Sequence, residues 1–353
     1  MTGVQTCALP ILNGNWQKDS LDNYGKTNHD SIIVNGLRGL LNGEKVDLII
    51  GGPPCQAYSI AGRAQDKNSM KLDYRNYLFE SFLAVVKALE PEAFIFENVP
   101  GLLSAKPGDI PVTIRIFDAF DKVGYRIRNP NQLKRAIYDS SDFNVPQKRN
   151  RVIIVGVKKD GPLNLEKIYT CISGKRSLKD VKTVRDALSS LPALKPIGNH
   201  HGTNGQKISH YQPEGDIIKF HIPRFHNERD IEIFKDWLMN KMNQNSSTEK
   251  IAYYNNKFTK SSNHAKYRNL EWEKPSPTIV AHLYKDGLMF IHPDAEQARS
   301  ITVKEAAILQ SFPDDFDFLG SMGDCYKMIG NAVPPEMARL IAEGVFECLS
   351  NEK

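Results

Sequence analysis

Val46-Asp47-Leu48-Ile49-Ile50 runs into Gly51-Gly52-Pro53-Pro54-Cys55-Gln56-Ala57-Tyr58-Ser59-Ile60-Ala61-Gly62-Arg63, and how these residues are read decides the fold. The leading run is short, apolar and β-branched, as a buried parallel strand requires. The glycine and proline pairs then stop the chain turning helical and let the backbone approach a flat ligand closely. Cys55 falls just past the strand's carboxyl end, the edge at which open α/β sheets bind ligands. Most cysteines outside disulfides are small buried fillers, and a reactive one needs surroundings that yield a thiolate. Flanking prolines and a glutamine suit a reactive position better than a core.

Working outward, residues 64 to 73 are polar and without periodicity, the mark of a functional or mobile loop. Leu78, Phe79, Phe82, Leu83, Val86 and Leu89 recur at helical spacing over residues 76 to 89, and Pro91 closes that helix. Ala93-Phe94-Ile95-Phe96 reads as a second buried strand with Glu97-Asn98-Val99 at its carboxyl end. Strand, helix and strand in a parallel crossover bring Glu97 to the same sheet edge as Cys55. A helix over 111 to 123, a strand over 125 to 137, and a strand at Val152-Ile153-Ile154-Val155 follow. Ahead of that last strand stands Gln147-Lys148-Arg149-Asn150-Arg151. Alternation along an extended chain points Gln147, Arg149 and Arg151 the same way; taken alone, they also fit a solvated basic turn.

The chain has 353 residues, enough for one large or two moderate domains. A net charge of +5 permits a polyanionic partner without demanding one. Cys7, Cys55, Cys171, Cys325 and Cys348 are scattered and form no CxxC pair, so neither a disulfide framework nor a zinc site is indicated. A reducing cytoplasm fits this usage. No apolar run reaches membrane-spanning length, and no signal sequence is recognisable. Residues 1 to 11, MTGVQTCALPI, fit nothing downstream and resemble the translation of a sequencing adapter, a non-native leader on a truncated frame.

A short helix is expected over 183 to 191, after which the composition changes. Residues 193 to 262 are rich in Gly, Asn, His, Ser and Lys, broken by one amphipathic helix from 228 to about 242, and read as a separate, less regular module. His200, His201, His210, His221 and His226 have no metal-ligand spacing, so solvated or nucleic-acid-facing roles are expected of them. Regularity returns at Tyr267; Thr302 starts a helix with Glu305 at the capping-box position, and a last amphipathic helix is expected over 336 to 349. No internal repeat is visible.

Pro53-Pro54-Cys55-Gln56, Glu97-Asn98-Val99, Gln147 to Arg151, the block RSITVKEAAILQSFPDDF from Arg299, and Gly330-Asn331-Ala332-Val333-Pro334-Pro335 stand in this order. Together they resemble the cytosine-5 DNA methyltransferase family, of bacterial or phage restriction-modification or orphan type. The likeness covers nearly everything from Leu12 onward except 193 to 262. One tetrapeptide would be weak; five in order are highly specific.

The resemblance implies an α/β fold: a Rossmann-like S-adenosylmethionine-dependent methyltransferase sheet with a smaller, irregular target-recognition domain. It assigns 12–192 to the catalytic domain, 193–325 to target recognition and 326–353 to a C-terminal segment returning to the catalytic domain, after the leader 1–11. It implies methyl transfer from S-adenosylmethionine to carbon 5 of a flipped-out cytosine in duplex DNA, with no metal and a monomeric chain. By the same resemblance Cys55 is the nucleophile, Glu97 contacts ring nitrogen 3 and the exocyclic amine, and Arg151 contacts oxygen 2, with Gln147 and Arg149 supporting that cradle. Gln56, Ser59 and Arg63 match the loop that closes over DNA. Trp16 is similar to the residue packed on the adenine and Leu78 to a second wall, with Pro54, Asn331 and Ala332 completing the cofactor site.

The chemistry explains these residue types. Cytosine is a poor nucleophile at carbon 5, so a thiolate must first add at carbon 6 to give an enamine. A carboxyl pushed toward its protonated form by burial supports nitrogen 3 as charge builds. Turning the base out of the duplex costs a few kcal/mol, offset by basic contacts to the backbone. A sulfur, a carboxyl and a guanidinium from three strand exits are therefore expected around one pyrimidine.

Two features depart from the family pattern. The glycine-rich turn after the first strand is missing, with Asn15 where an acidic ribose ligand would stand, and Asn35-Gly36-Leu37 replaces the adenine-side aspartate of the next strand. A chain lacking that first strand and turn is expected to bind cofactor weakly or not at all. The alternatives are accordingly an inactive truncated DNA-binding fragment, or a tRNA cytosine-5 methyltransferase, which the long variable module disfavours.

Overall fold

The computed structural model describes residues 41–53, 78–197, 207–259, 261–285 and 287–350. By their contacts they divide into two compact units. The first comprises the described residues up to 138, with 150–175 and those from 342 onward; the second comprises 139–149 and 176–341. The contact units thus divide at 138/139, 149/150, 175/176 and 341/342.

In the first unit, β1 (Leu48–Gly51) is followed by α1 (Leu78–Leu89) and β2 (Ala93–Asn98). Next come α2 (Val112–Lys122), β3 (Tyr125–Ile127), β4 (Ile137–Asp139), β5 (Asn150–Lys158) and α3 (Leu165–Gly174). The strand order is β1-β2-β5-β3, with β4 also on β5. β1 and β2 are parallel with Gly51 opposite Phe96, as the intervening helix requires. β5 runs antiparallel to β2, with Glu97 opposite Ile153 and Asn98 opposite Val152.

β2 is buried at almost every position, the pattern of a strand covered on both faces. Phe94 stacks on Phe120 of α2 with ring centroids 4.3 Å apart, and Phe82 of α1 meets Phe94 and Phe96 edge-on at 5.7 and 5.3 Å. Such pairs contribute roughly 0.5–1.5 kcal/mol each beyond their burial. Gly156 of β5 is forced by this cluster, because a Cβ there would lie 2.1 Å from the Phe94 ring. The strand expected over 125 to 137 ends at Ile127. Pro130 has no amide hydrogen for a ladder and opens the 3-10 turn Pro130–Ala136, capped by the Asn129 side chain accepting from the Asn131 amide.

In the second unit, α4 (Val184–Leu188) precedes the two-residue strands β6 (Lys195–Pro196) and β7 (His210–Tyr211), which pair antiparallel. α5 (Glu228–Met239), α6 (Ser247–Lys257), α7 (Val303–Leu309) and α8 (Met322–Asn331) follow. One core gathers α4, α7 and α8 around Ile279, Leu283, Ile301 and Phe318; another gathers α5 around the fully buried Trp237 and Tyr267. α7 starts at Thr302 with the expected capping box to Glu305. α6 has no counterpart in the sequence expectation, because it buries none of its residues fully and shows no apolar stripe. The chain re-enters the first unit along α9 (Pro335–Ser350).

Candidate active site at the strand edge

Three segments of the first unit meet at the carboxyl edge of β1 and β2. β1 delivers Gly51, Gly52 and Pro53 there; Pro54, Cys55, Gln56, Ser59 and Arg63 lie outside the described residues, as do Trp16 and the side chain of Leu78. One position past Phe96, which faces Gly51, β2 delivers Glu97. Its carboxylate stands so close to Gly52 that a Cβ on that residue would be 2.9 Å from Oε2. The glycine keeps room for the acid three residues before Cys55.

Arg151 reaches the same edge by a route the sequence did not disclose. β5 is antiparallel to β2, so its beginning, not its exit, lies beside the ends of β1 and β2. Two strand exits and one strand entry converge. The Arg151 Nε lies 2.6 Å from Glu97 Oε1, with the two side chains only 11% and 17% exposed. Arg151 Nη1 donates to the Asn150 carbonyl at 2.7 Å, which fixes the plane of the guanidinium. A sheltered pair of this kind holds orientation more firmly than an exposed one, where water competes.

Asn98 was not singled out from the sequence, yet it ties the edge together. It is buried, its Nδ2 donates to the Pro53 carbonyl at 3.2 Å, and its Oδ1 accepts from the Val99 amide at 2.9 Å. The segment entering Cys55 is thereby fastened to the strand end carrying Glu97. The signal for it was a polar side chain closing an otherwise apolar strand.

Gln147 and Arg149 belong to the second unit, and both are buried there while Lys148 and Asn150 are exposed. The alternation is as expected, and both side chains are held by hydrogen bonds within the unit. Gln147 Oε1 accepts from the Ile279 amide at 2.8 Å, and its Nε2 donates to Gln310. Arg149 donates from Nη1 to the Ile279 carbonyl at 2.7 Å and from Nη2 to the Gly330 carbonyl at 2.8 Å. Gly330 must be glycine, since a Cβ would lie 2.3 Å from the Ala281 amide nitrogen. Asn331 ends α8 with its side chain exposed, and the Ala332 carbonyl accepts from Gln310 Nε2 at 2.8 Å.

The histidines of the second unit correct another expectation. His210, His221 and His226 are buried, not solvated; His200 and His201 lie outside the described residues. His221 Nε2 contacts the Pro192 carbonyl at 2.9 Å, and His226 Nε2 accepts from the Ser300 amide at 3.2 Å. Burial pushes His226 down to about 3, aided by the charges of His210, Arg224 and Arg299. Nearby, Arg299 grips Glu305 in a fully buried pair at 2.6 Å. Burial alone would raise the Glu305 carboxyl; the Arg299 guanidinium outweighs it and holds the group well below the usual carboxylate range. Among the described residues, no group of three or more His, Cys, Asp or Glu is placed to hold a metal, and no helix is long and apolar enough to cross a membrane.

A parallel β-α-β unit with an acid and an arginine at its carboxyl edge, where the chain runs on in sequence to Pro54-Cys55, fits an α/β enzyme that binds its ligand at that edge. The comparisons agree. The model of the family described as C-5 cytosine-specific DNA methylase matches residues 11–347. Type II methyltransferase M.Bpa9945I of Bacillus paralicheniformis is 39% identical over 325 residues, covering 86% of this chain and 71% of that protein. Type II methyltransferase M1.HphI of Haemophilus parahaemolyticus is 32% identical over 312 residues, covering 88% and 71%. A solved structure assigned as a DNA modification methyltransferase encoded within an E. coli prophage matches with a TM-score of 0.59 at 24% identity. It covers 89% of this chain and 82% of its own, which establishes the Rossmann-like fold. The chain belongs to the C-5 cytosine-specific DNA methylase family and is a DNA (cytosine-5-)-methyltransferase.

Proposed function

We propose that the protein transfers a methyl group from S-adenosylmethionine to carbon 5 of a cytosine turned out of duplex DNA, through a covalent adduct on Cys55. The observation that carries this is the Glu97–Arg151 pair, 2.6 Å apart at the edge where the strand before Cys55 ends. The Cys55 thiolate adds to carbon 6, and the electron pair released into the ring makes carbon 5 nucleophilic. Glu97, held through Oε1 by Arg151, presents Oε2 on the side of Gly52, from which a base bonded to Cys55 would arrive. There it shares a proton with ring nitrogen 3 as charge develops, and the remaining edge of the Arg151 guanidinium takes oxygen 2. Loss of the carbon 5 proton then expels the thiolate and restores aromaticity.

S-adenosylmethionine supplies the electrophilic methyl when bound. Its holders are proposed as Trp16, Pro54 and Leu78, together with Asn331 and Ala332. What supports its fit is the side-chain-free backbone of Gly52 beside Glu97 at a parallel strand exit, the edge at which open α/β sheets bind ligands. Gln56, Ser59 and Arg63 are proposed to meet the DNA, and Gln147 and Arg149 to act as positioning residues within the second unit. That unit is proposed to read the site in the major groove, at about 1–3 kcal/mol per good base contact. A restriction-modification role is supported by the names of the relatives, Type II methyltransferases, and its proposed place is the bacterial cytoplasm. The test is transfer of labelled methyl to unmethylated duplex DNA, with transfer RNA as the comparison. Transfer to DNA that disappears in Cys55→Ser supports the proposal; transfer to RNA alone, or full activity in Cys55→Ser, overturns it.

A further inference from the structure

The helices that carry the chain out of the first unit and back into it bring two sulfurs together. α3 ends at Gly174, just before the chain leaves the first unit, and the part of α9 from residue 342 belongs to that unit again. Cys171 on α3 and Cys348 on α9 are 177 positions apart in sequence, yet their sulfurs are 2.7 Å apart. The backbone explains the approach. Gly344 lies one turn before Cys348 on the same face of α9, and a Cβ there would be 2.9 Å from both the nitrogen and the Cα of Ile172. The helices therefore cross with their backbones nearly touching beside the sulfurs. Lys175, one turn beyond Cys171, pairs with Glu347, the neighbour of Cys348, and so ties the same two helices a second time.

We propose that Cys171 and Cys348 are a reversible dithiol–disulfide pair, which fastens α9 to α3 when the protein meets a peroxide or a low-molecular-weight disulfide. The two sulfurs are not bonded in the structure, and a disulfide bond of about 2.05 Å requires them to close by roughly 0.7 Å. Cys171 is partly exposed and Cys348 is 1% exposed, so the oxidant meets Cys171 first. With hydrogen peroxide, the Cys171 sulfur takes one oxygen as a sulfenic acid and the other leaves as water. The Cys348 sulfur then displaces the hydroxyl as a second water. Two thiols are oxidised, one peroxide is reduced, and a thiol reductant reverses the bond by exchange. Because nearly all of the second unit lies between the two cysteines in sequence, the bond closes the chain at the root of that excursion.

The experiment uses the full chain treated with a small excess of hydrogen peroxide, or separately with glutathione disulfide, at neutral pH. Remaining thiols are alkylated, and the digest is analysed by mass spectrometry without reductant. The expected product joins the Cys171 and Cys348 peptides, is two hydrogens lighter than their sum and vanishes on reduction. It is accompanied by a reversible rise in Tm on the order of 5 °C. Cys171→Ser, at the partly exposed position, must abolish both, and Cys348→Ala must do the same. Recovery of both cysteines fully alkylated after oxidation overturns the proposal. So does a cross-link to Cys7, Cys55 or Cys325, or a Tm rise that persists in Cys171→Ser.

Discussion

Replacing Gly52 by alanine puts a methyl group 2.9 Å from Glu97 Oε2, without requiring a forbidden backbone, since Gly52 is not among the positive-φ residues. Carbon and oxygen in ordinary contact need about 3.4 Å, so the carboxylate must retreat by roughly 0.5 Å and loosen its grip on Arg151. If a 1 Å misplacement costs about 100-fold in rate, half of that costs about tenfold, or roughly 1.4 kcal/mol of activation free energy. Stability should barely move, because the narrower unfolded ensemble of alanine contributes about 0.4–1 kcal/mol against the crowding. The neighbouring Gly51→Ala is the control. Its Cβ would lie 2.5 Å from the Phe82 ring, which Phe94, Phe96 and Phe120 hold in place, so the cost falls on the core at about 1–3 kcal/mol. Single-turnover methyl transfer and thermal melts on both variants separate the two effects. Gly52→Ala should lose rate and keep its Tm; Gly51→Ala should lose several degrees and keep its rate within threefold. An unchanged rate in Gly52→Ala, or a larger rate loss in Gly51→Ala, refutes the placement of Glu97.

Gln147→Ala should destabilise the fold by about 2–3 kcal/mol, since it strands the buried Ile279 amide. Lys148→Ala next to it is exposed and should stay within about 0.5 kcal/mol, both read from urea midpoints. Glu305→Ala removes the partner of the buried Arg299 and should cost about 3–5 kcal/mol by the same measurement. Burial holds His226 and His292 at about 3, so the folded protein keeps them neutral where the unfolded chain, near 6.5, takes up protons. Stability should therefore fall as pH drops from 6.5 toward 3, by up to about 1.4 kcal/mol per pH unit for each histidine. A flat urea midpoint between pH 7 and 5, or a slope unaltered in His226→Gln, would contradict this.

The parallel pair and the position of Glu97 were legible because a short apolar run, a helix-spaced segment and a second run leave few other topologies. Strand direction is not written in composition, which is why Arg151 was expected at a strand exit and stands at a strand entry. The alternation of Gln147, Arg149 and Arg151 was visible, but what covers its inner side depends on Ile279, Gln310 and Gly330, more than a hundred residues away. Asn98 was passed over for a similar reason: its value lies in the Pro53 carbonyl, 45 positions earlier. Polar histidines suggested a wet or nucleic-acid-facing surface, yet His210, His221 and His226 are buried, hydrogen-bonding members of a core.

The claim that Cys55 attacks the base is tested most directly with duplex DNA carrying 5-fluorocytosine. Fluorine at carbon 5 leaves no proton to remove after methyl transfer, so the adduct cannot collapse and persists for mass spectrometry of the digested protein. The expected result is a cytosine adduct on the Cys55 peptide that is absent in Cys55→Ser and forms about 100-fold or more slowly in Glu97→Gln. An adduct on any other residue, or DNA methylation by Cys55→Ser, would contradict the account.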